Sequence, residues 1–219
     1  MSATLIVLSK PAIPGQVKTR LTPKLSPHAA ARIHSAMRQC LLNRLVRHCH
    51  PHPSSFILAQ NNHDQDHCLT LPHPFQQIPQ SQGDLGERMC RIWQQYPSQP
   101  IIFLGTDSPD LPKEILTMIT KEVKEKDAIV GPVSDGGYYT LGVREYRPAL
   151  LTNISWGSTK VLAQTQMRAK SQKIDLLNLP SWYDIDTYPD LLALIARIKN
   201  SKEHDLQVLY QELTTIVKE

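Results

Sequence analysis

The stretch IIFLGTDSPDLP, residues 101–112, places an aspartate directly after an apolar run. A short run without polar side chains, such as IIFLG, is typical of a strand that is buried on both faces of a parallel sheet. Ligands of open α/β sheets bind beyond the carboxyl ends of the strands, so Asp107 is expected at a functional edge. Asp110 follows three residues later, and it either binds a ligand or caps the turn before the next helix.

Apolar runs and amphipathic segments alternate along the rest of the chain. The sequence predicts further strands at 4–8, 54–59, 128–131, 138–143 and 173–178. Apolar residues three or four apart predict helices over 27–48, 83–95, 115–123, 158–169, 191–198 and 206–217. Residues 60–80 show no clear pattern. This alternation predicts an α/β domain with a mostly parallel sheet and right-handed crossovers.

Composition limits the class of protein. The chain has 219 residues, of which 41% are hydrophobic and 20% charged, which predicts a globular domain with a core. The net charge is +4 without a Lys/Arg-rich block, which argues against nucleic-acid binding. No run approaches the ~18 apolar residues of a membrane span, and no signal peptide is recognisable at the start. The four cysteines lack CxxC spacing, so we expect reduced thiols in a cytoplasmic protein.

We expect one domain over residues 1–199, with residues 200–219 forming a C-terminal helix that packs on it. The apolar stripe of this last helix indicates either core or a contact between subunits of a homo-oligomer.

The loop PGQVKTRL, residues 14–21, follows the first predicted strand. Gly15 lets backbone N–H groups approach a ligand closely, and Lys18 and Arg20 add positive charge suited to a phosphate. A solvated surface loop is the alternative. Neither GxxxxGK[ST] nor GxGxxG occurs in the chain, so neither a P-loop NTPase nor a dinucleotide-binding Rossmann domain is supported.

Two more acidic motifs follow later strands. In SDGGYY, Asp135 precedes Gly136 and Gly137, which predicts a hairpin turn, an acid carried into a pocket, or both. In WYDIDT, Asp184 and Asp186 are two residues apart and share a face of an extended segment. Asp186 is either a metal ligand or base, or an acid that caps the following helix. Carboxylates of this kind suit Mg²⁺ or Mn²⁺.

Other motifs leave two interpretations open. In GDLGERM, Gly83, Asp84, Glu87 and Arg88 either contact a nucleotide at a helix N-terminus or form a capping arrangement, in which Asp84 caps and Glu87 sits three residues later. In ISWGST, Trp156 either stacks on a sugar or packs as an anchor. A zinc site is a further hypothesis for a group of histidines and a cysteine: His48, His50, His52, His63, His67 and Cys68.

The ordered set of motifs over residues 4–198 resembles that of a family of GT-A-like transferases. In chain order the motifs are KPAIPGQVKTRL, QGDLGERM, FLGTDSPDLP, GPVSDGGYYTLGV, ISWGSTKVLAQT and DIDT. Members of this family are known as rSAM/selenodomain-associated transferases or arsenosugar-biosynthesis glycosyltransferases. The resemblance implies a three-layer α/β/α nucleotide-diphospho-sugar transferase fold and a nucleotide on the first loop. It also implies Mg²⁺ or Mn²⁺ near Asp107, with Asp135 or Asp186 as partner because position 109 is proline where a strict DxD has its second acid. The fold is also similar to that of guanylyltransferases acting on phospholactate and molybdopterin.

These observations favour a metal-dependent glycosyltransferase with a nucleoside diphosphate sugar donor and a small-molecule acceptor. In this interpretation Asp107 and Asp135 hold the metal, and Asp135 or Asp186 deprotonates the acceptor. The donor is bound by Gly15, Lys18, Arg20, Gly83, Asp84, Gly136, Gly137 and Trp156. The alternatives are nucleotidyl transfer from an NTP to a small phosphorylated acceptor, and a nucleotide-binding module without catalysis.

Overall fold

The computed structural model describes residues 3–49, 53–61 and 69–219. Over these residues the strands are β1 Ala3–Ser9, β2 Pro53–Gln60, β3 Phe75–Ile78, β4 Ile101–Leu104, β5 Ala128–Pro132, β6 Tyr138–Val143 and β7 Leu176–Asn178. The helices are α1 Pro27–Cys49, α2 Leu85–Trp93, α3 Lys113–Glu125, α4 Val161–Ser171, α5 Tyr188–Ile198 and α6 His204–Lys218.

The described strands form one sheet in the order β3-β2-β1-β4-β6-β5-β7. Strand β6 pairs antiparallel with β4 and β5, and the other pairs are parallel. The predicted α/β fold with a mostly parallel sheet is therefore confirmed. Strand β4 is the central strand of the sheet, so the loop that carries Asp107 begins at the centre of the sheet edge.

Helices cover both faces of the sheet, and neighbouring residues of the buried strands point to opposite faces. In β1, Leu5 packs in a core cluster with α1 and α3, whereas Ile6 packs in another cluster with α2 and α4. A third cluster joins α1 to α5 and α6, with Ile33 and Leu213 among its members. Helix α6 therefore packs on the outer side of α1.

The segment without a clear sequence pattern contains β3, which pairs in parallel with β2. Strand β3 is four residues long, FQQI, with two polar residues at its middle, and it lies at the edge of the sheet. Its Phe75 is buried and packs against Phe56, with ring centroids 5.2 Å apart. One buried side chain among four residues, two of them polar, is too weak a pattern to predict a strand.

Candidate functional site

A cavity of about 400 Å³ opens where the loops after β1 and β4 meet. Its wall is apolar at Leu85, Met89 and Phe103, and charged at other positions. The charged lining side chains are Lys10, Lys18, Arg20, Arg88, Asp107 and Asp186. A cavity of mixed character, with apolar walls and a few convergent charges, is the usual form of a small-molecule site.

Lys18 connects the loop after β1 to two other segments of the site. Its backbone lies in the left-handed region with φ 48°, and its side chain is only 5% exposed. The ammonium group donates hydrogen bonds to Oδ1 of Asp107 and to the carbonyl oxygen of Ile185. It also lies 3.4 Å from Oδ1 of Asp186. Protein acceptors therefore occupy the donors of Lys18, which the sequence suggested as a phosphate ligand.

Arg20 presents a more accessible positive charge at the same edge. Its side chain is 68% exposed, and Nη1 lies 3.5 Å from Oδ2 of Asp186. The interaction is long and solvent-exposed, so it holds the guanidinium group weakly. Arg20 is therefore better placed than Lys18 to contact a phosphate in the cavity.

Three carboxylates form a compact group beside this cavity. One oxygen from each of Asp135, Asp184 and Asp186 lies within 4.8 Å of the other two. Burial raises the pKa of Asp184, and the negative charges of Asp135 and Asp186 raise it further. The sequence suggested roles for Asp135 and Asp186, and the structure places Asp184, which was named only as part of WYDIDT, in the same group.

The segment after β7 brings Asp184 and Asp186 to the site because it continues along β5. The backbone N–H of Leu179 donates to Val130, and that of Trp182 donates to Pro132, at 2.8 and 3.0 Å. The backbone N–H of Ile185 then donates to the carbonyl oxygen of Asp107 at 2.9 Å. These bonds dock the DIDT motif on the loop after β4.

Asp110 holds the same two segments together. Its buried carboxylate accepts from Nε1 of Trp182 at 3.2 Å and from Nε of Arg197 at 2.8 Å. It thus acts neither as a simple turn cap nor as a group that faces the cavity. The guanidinium group of Arg197 also lies 4.5 Å from the ring centroid of Tyr183.

The predicted hairpin joins β5 to β6 and carries Asp135 at its tip. The backbone N–H of Gly137 donates to Oδ1 of Asp135 at 2.8 Å, which orients the carboxylate. Gly136 has φ 88°, and a Cβ there would lie 2.1 Å from the carbonyl oxygen of Thr159. The backbone N–H of Leu162 also donates to the carbonyl oxygen of Gly136 at 2.9 Å. The glycines therefore allow a close approach to the start of α4.

Several residues that we predicted to bind substrate lie elsewhere than on the described cavity wall. Gly15 has φ 78° and open space around it, and Gly83 precedes the capping box of α2. In that box Asp84 accepts from the backbone N–H of Glu87 at 2.8 Å. Trp156 packs edge-on against Tyr138, with centroids 6.4 Å apart. Their direct contact with a substrate stays a prediction, as does that of Gly136 and Gly137.

Asp186 lines the cavity and is followed by the residue that caps α5. The N-cap residue is Thr187, whose backbone N–H donates to Oδ2 of Asp190 at 2.7 Å. The interpretation of Asp186 as the helix cap is therefore not what the structure shows.

Two cavity residues escaped the sequence analysis because their partners are distant in the chain. Gln80 is buried and donates through Nε2 to the carbonyl oxygens of Ser9 and Ala59, at 3.0 and 2.6 Å. His34 is also buried, and Nε2 lies 3.0 Å from the carbonyl oxygen of Lys10. Burial lowers the pKa of His34 to about 4. No local motif indicates either residue.

The proposed zinc site falls mostly on residues that the structure does not describe. His50, His52, His63, His67 and Cys68 lie outside the described ranges. His48 is described, and its Nε2 contacts Oε1 of Glu203 near the start of α6.

Solved structures share this fold. One is a protein of Desulfovibrio desulfuricans G20, provisionally named a nucleotide-diphospho-sugar transferase; it is 27% identical, with a TM-score of 0.86, and the match covers 100% of this chain and 98% of that one. A 4-diphosphocytidyl-2C-methyl-D-erythritol synthase of Anaerococcus prevotii DSM 20548 is 10% identical, with a TM-score of 0.60 and coverage of 91% and 96%. A cytidylyltransferase of Leptospira borgpetersenii is 15% identical, with a TM-score of 0.57 and coverage of 99% and 97%.

These comparisons confirm the expected nucleotide-diphospho-sugar transferase fold. A comparison of the sequence with curated proteins finds no match. Among the described helices, none is long and apolar enough to cross a membrane. Residues 45–158 match the family DUF2064, described as an uncharacterized protein conserved in bacteria. The matched segment runs from α1 to the loop before α4 and is more than half of the 219 residues, so the chain belongs to the DUF2064 family.

Proposed function

We propose that this chain is a transferase that uses a nucleoside diphosphate sugar as donor and passes the glycosyl group to a small-molecule acceptor. The observation that carries the proposal is the meeting of Lys18 and Arg20 with a group of aspartates at the mouth of a 400 Å³ cavity. The similar structure from Desulfovibrio desulfuricans, of nearly equal length, supports this reaction class.

The donor set of the acidic group fits a hard divalent cation. Asp135, Asp184 and Asp186 each offer an oxygen, and carboxylate oxygens suit Mg²⁺ and Mn²⁺. We propose that these three residues hold the ion, which when bound stabilises negative charge on the leaving nucleoside diphosphate. Asp107 lies beside them and accepts a hydrogen bond from Lys18, and its role as a ligand stays a prediction.

The residues of the chain supply the remaining steps. Arg20 and Lys18 place positive charge where the leaving diphosphate develops negative charge, which lowers the barrier. A carboxylate that faces the acceptor takes its hydroxyl proton. Asp135 is exposed, whereas Asp186 lies within reach of Lys18 and Arg20, so Asp135 is the more accessible candidate base. Its proton acceptor would be the carboxylate oxygen that does not hold the ion, since each aspartate offers the ion one oxygen.

Nucleotidyl transfer is the second candidate. It is favoured by the two structures of this fold that are named as a cytidylyltransferase and a diphosphocytidyl-methylerythritol synthase. The leaving group would then be pyrophosphate, which the same cations stabilise. The acceptor would be a small phosphorylated molecule.

The test is a donor screen read by phosphorus NMR. UDP-, GDP-, ADP- and dTDP-sugars and the four NTPs are incubated with the protein, Mn²⁺ and a cell extract as acceptor source. Nucleoside diphosphate released from one sugar donor supports glycosyl transfer, and pyrophosphate released from one NTP supports the second candidate. Tight binding without either product would leave a nucleotide-binding module.

A matched pair of variants ties the products to the acidic group. Asp186→Asn removes one carboxylate of this group, and we expect a loss of turnover of about 100-fold or more. Asp175→Asn removes an exposed carboxylate that pairs with Lys126, and we expect turnover like that of the unmodified chain. Equal activity in both variants would contradict the assigned site.

A further inference from the structure

We propose that Arg88 selects the base of the donor nucleotide, and that it favours guanine or cytosine over adenine and uracil. This inference rests on the proposed nucleotide-dependent function, and it names the substrate class that the same cavity accepts.

The charges of the cavity decide where each part of a nucleotide lies. Asp107 and Asp186, together with Lys18 and Arg20, mark the end at which a metal and phosphates would bind. Arg88 of α2 bonds Gln80, whose amide bonds the ends of β1 and β2, whereas the DIDT motif follows β5 and docks on the loop after β4. A base attached to those phosphates therefore extends toward Arg88.

Apolar side chains line the cavity at the same place. Leu85 and Met89 flank Arg88 on α2, and Leu8 and Phe103 contribute from the strands below. Such a surface suits the flat faces of an aromatic base and offers little to a phosphate. The environment of Arg88 is thus that of a base site.

Two hydrogen bonds orient the guanidinium group of Arg88. Its Nη1 donates to Oε1 of Gln80 at 2.8 Å, and its Nε lies 3.3 Å from the carbonyl oxygen of Asp84. Gln80 is itself buried, and its amide is anchored to the carbonyl oxygens of Ser9 and Ala59. Over the described residues, Nη2 of Arg88 has no such partner. Arg88 therefore offers prepared donors to a ligand at low entropic cost.

A group with donors alone discriminates between the edges of bases. Guanine presents N7 and O6 as adjacent acceptors, whereas adenine presents N7 beside an N6 amino donor. Cytosine likewise presents O2 beside N3, both acceptors, whereas in uracil the N3–H donor separates two carbonyls. The two donors of an arginine fork therefore match guanine and cytosine, whereas they meet a donor on adenine and on uracil.

The test measures binding of GDP, CDP, ADP and UDP by titration calorimetry, with Mn²⁺ present. We expect GDP or CDP to bind at least about tenfold more tightly than ADP and UDP. Arg88→Met should reduce this ratio about tenfold. Arg88→Lys keeps the charge without the fork, and it should reduce the ratio similarly.

Arg91→Met is the matched control. Arg91 lies on the same helix, is exposed, and bonds Oγ of Ser81 and the carbonyl oxygen of Gln82 outside the cavity wall. We expect this variant to keep the base preference of the unmodified chain.

The contrary outcomes are distinct. If the unmodified chain binds the four nucleotides equally, or if Arg88→Met weakens all four by one factor, Arg88 does not select the base and the inference is wrong. If none of the four binds, the proposed nucleotide-dependent function itself is wrong, and the inference fails with it.

Discussion

At the scale of single residues, Lys18 shows what the sequence could and could not predict. The loop after the first strand indicated a cation at the site, and Lys18 does lie there. Its acceptors on Asp107 and Asp186 lie in two other loops, which are distant from Lys18 along the chain. The sequence therefore predicted the charge and its edge of the sheet, and only the assembled fold shows that carboxylates hold the ammonium group.

The buried imidazole of His34 should make stability depend on pH. Burial lowers the pKa of His34 to about 4, and the nearby charges of Arg38 and Lys18 act in the same direction. The unfolded chain, with a pKa of about 6.5, binds the proton first. Stability due to neutral His34 is complete above about pH 6.5 and is lost as pH falls toward 4.

We therefore predict that the unmodified chain loses roughly 2 kcal/mol relative to His34→Gln between pH 7.5 and pH 5. Urea unfolding of both proteins at the two pH values measures the difference. Glutamine keeps a donor for the carbonyl oxygen of Lys10 and does not titrate. Parallel pH profiles would show that His34 takes up its proton without unfolding.

Gly136 is the glycine for which the fold has least tolerance. It combines φ 88° with a distance of 2.1 Å between a built Cβ and the carbonyl oxygen of Thr159. We predict that Gly136→Ala lowers the free energy of unfolding by about 2–4 kcal/mol. Gly15 has φ 78° but open space around it, so Gly15→Ala should lower the free energy of unfolding by only about 1–2 kcal/mol. Equal losses would mean that the contact with Thr159 adds nothing.

At the scale of elements, a buried arginine joins α1 to two other parts of the fold. Arg44 is 1% exposed, and it donates to the carbonyl oxygens of Pro109 and Leu111 at 2.7 and 2.6 Å. It also pairs with Glu203, just before α6, at 3.0 Å. The loop after β4 and the start of the last helix are thus anchored to the same guanidinium group.

We predict that Arg44→Met lowers the free energy of unfolding by about 3–5 kcal/mol, because it leaves partners of a buried charge unpaired. Arg32→Met on the same helix removes an exposed pair with Glu219 and should cost less than about 1 kcal/mol. Urea unfolding measures both. A loss below 1 kcal/mol for Arg44→Met would show that solvent replaces its contacts.

Elements were predictable where their pattern was strong. The amphipathic period of α1 and the apolar runs of β1 and β4 gave bounds within a residue or two of the structure. Strand β3 was missed because tertiary pairing with β2, rather than its own composition, holds it in place. Gln80, which follows that strand, was missed with it.

At the scale of the whole molecule, we propose that α6 unfolds together with the sheet as one cooperative unit. Leu213 is fully buried in the cluster that joins α6 to α1 and α5. We predict that Leu213→Ala costs about 2–5 kcal/mol and shifts the unfolding transitions seen by circular dichroism and by tryptophan fluorescence together. Val208→Ser, at a 40% exposed position of α6, should shift neither by more than about 0.5 kcal/mol. Separate transitions for the two probes would indicate that the helix unfolds independently.

The fold class was predictable because alternation of strands and helices extends over the whole chain, and many weak patterns agree. The site was predictable to the level of its edge, since the carboxyl ends of parallel strands converge. The contact of Arg88 with Gln80 was not predictable, because Gln80 follows β3, and the pairing of β3 with β2 holds that segment in place.

Carboxylates outnumber cations around the acidic group of the cavity. Asp135, Asp184 and Asp186 lie together, and Lys18 and Arg20 are the cations that pair with Asp107 and Asp186. Two further cations, Lys10 and Arg88, line the same cavity. In our proposal the divalent ion neutralises the local excess of carboxylates, and a diphosphate that arrives without the ion meets repulsion there. We therefore expect chelation of the ion to slow the capture of the donor.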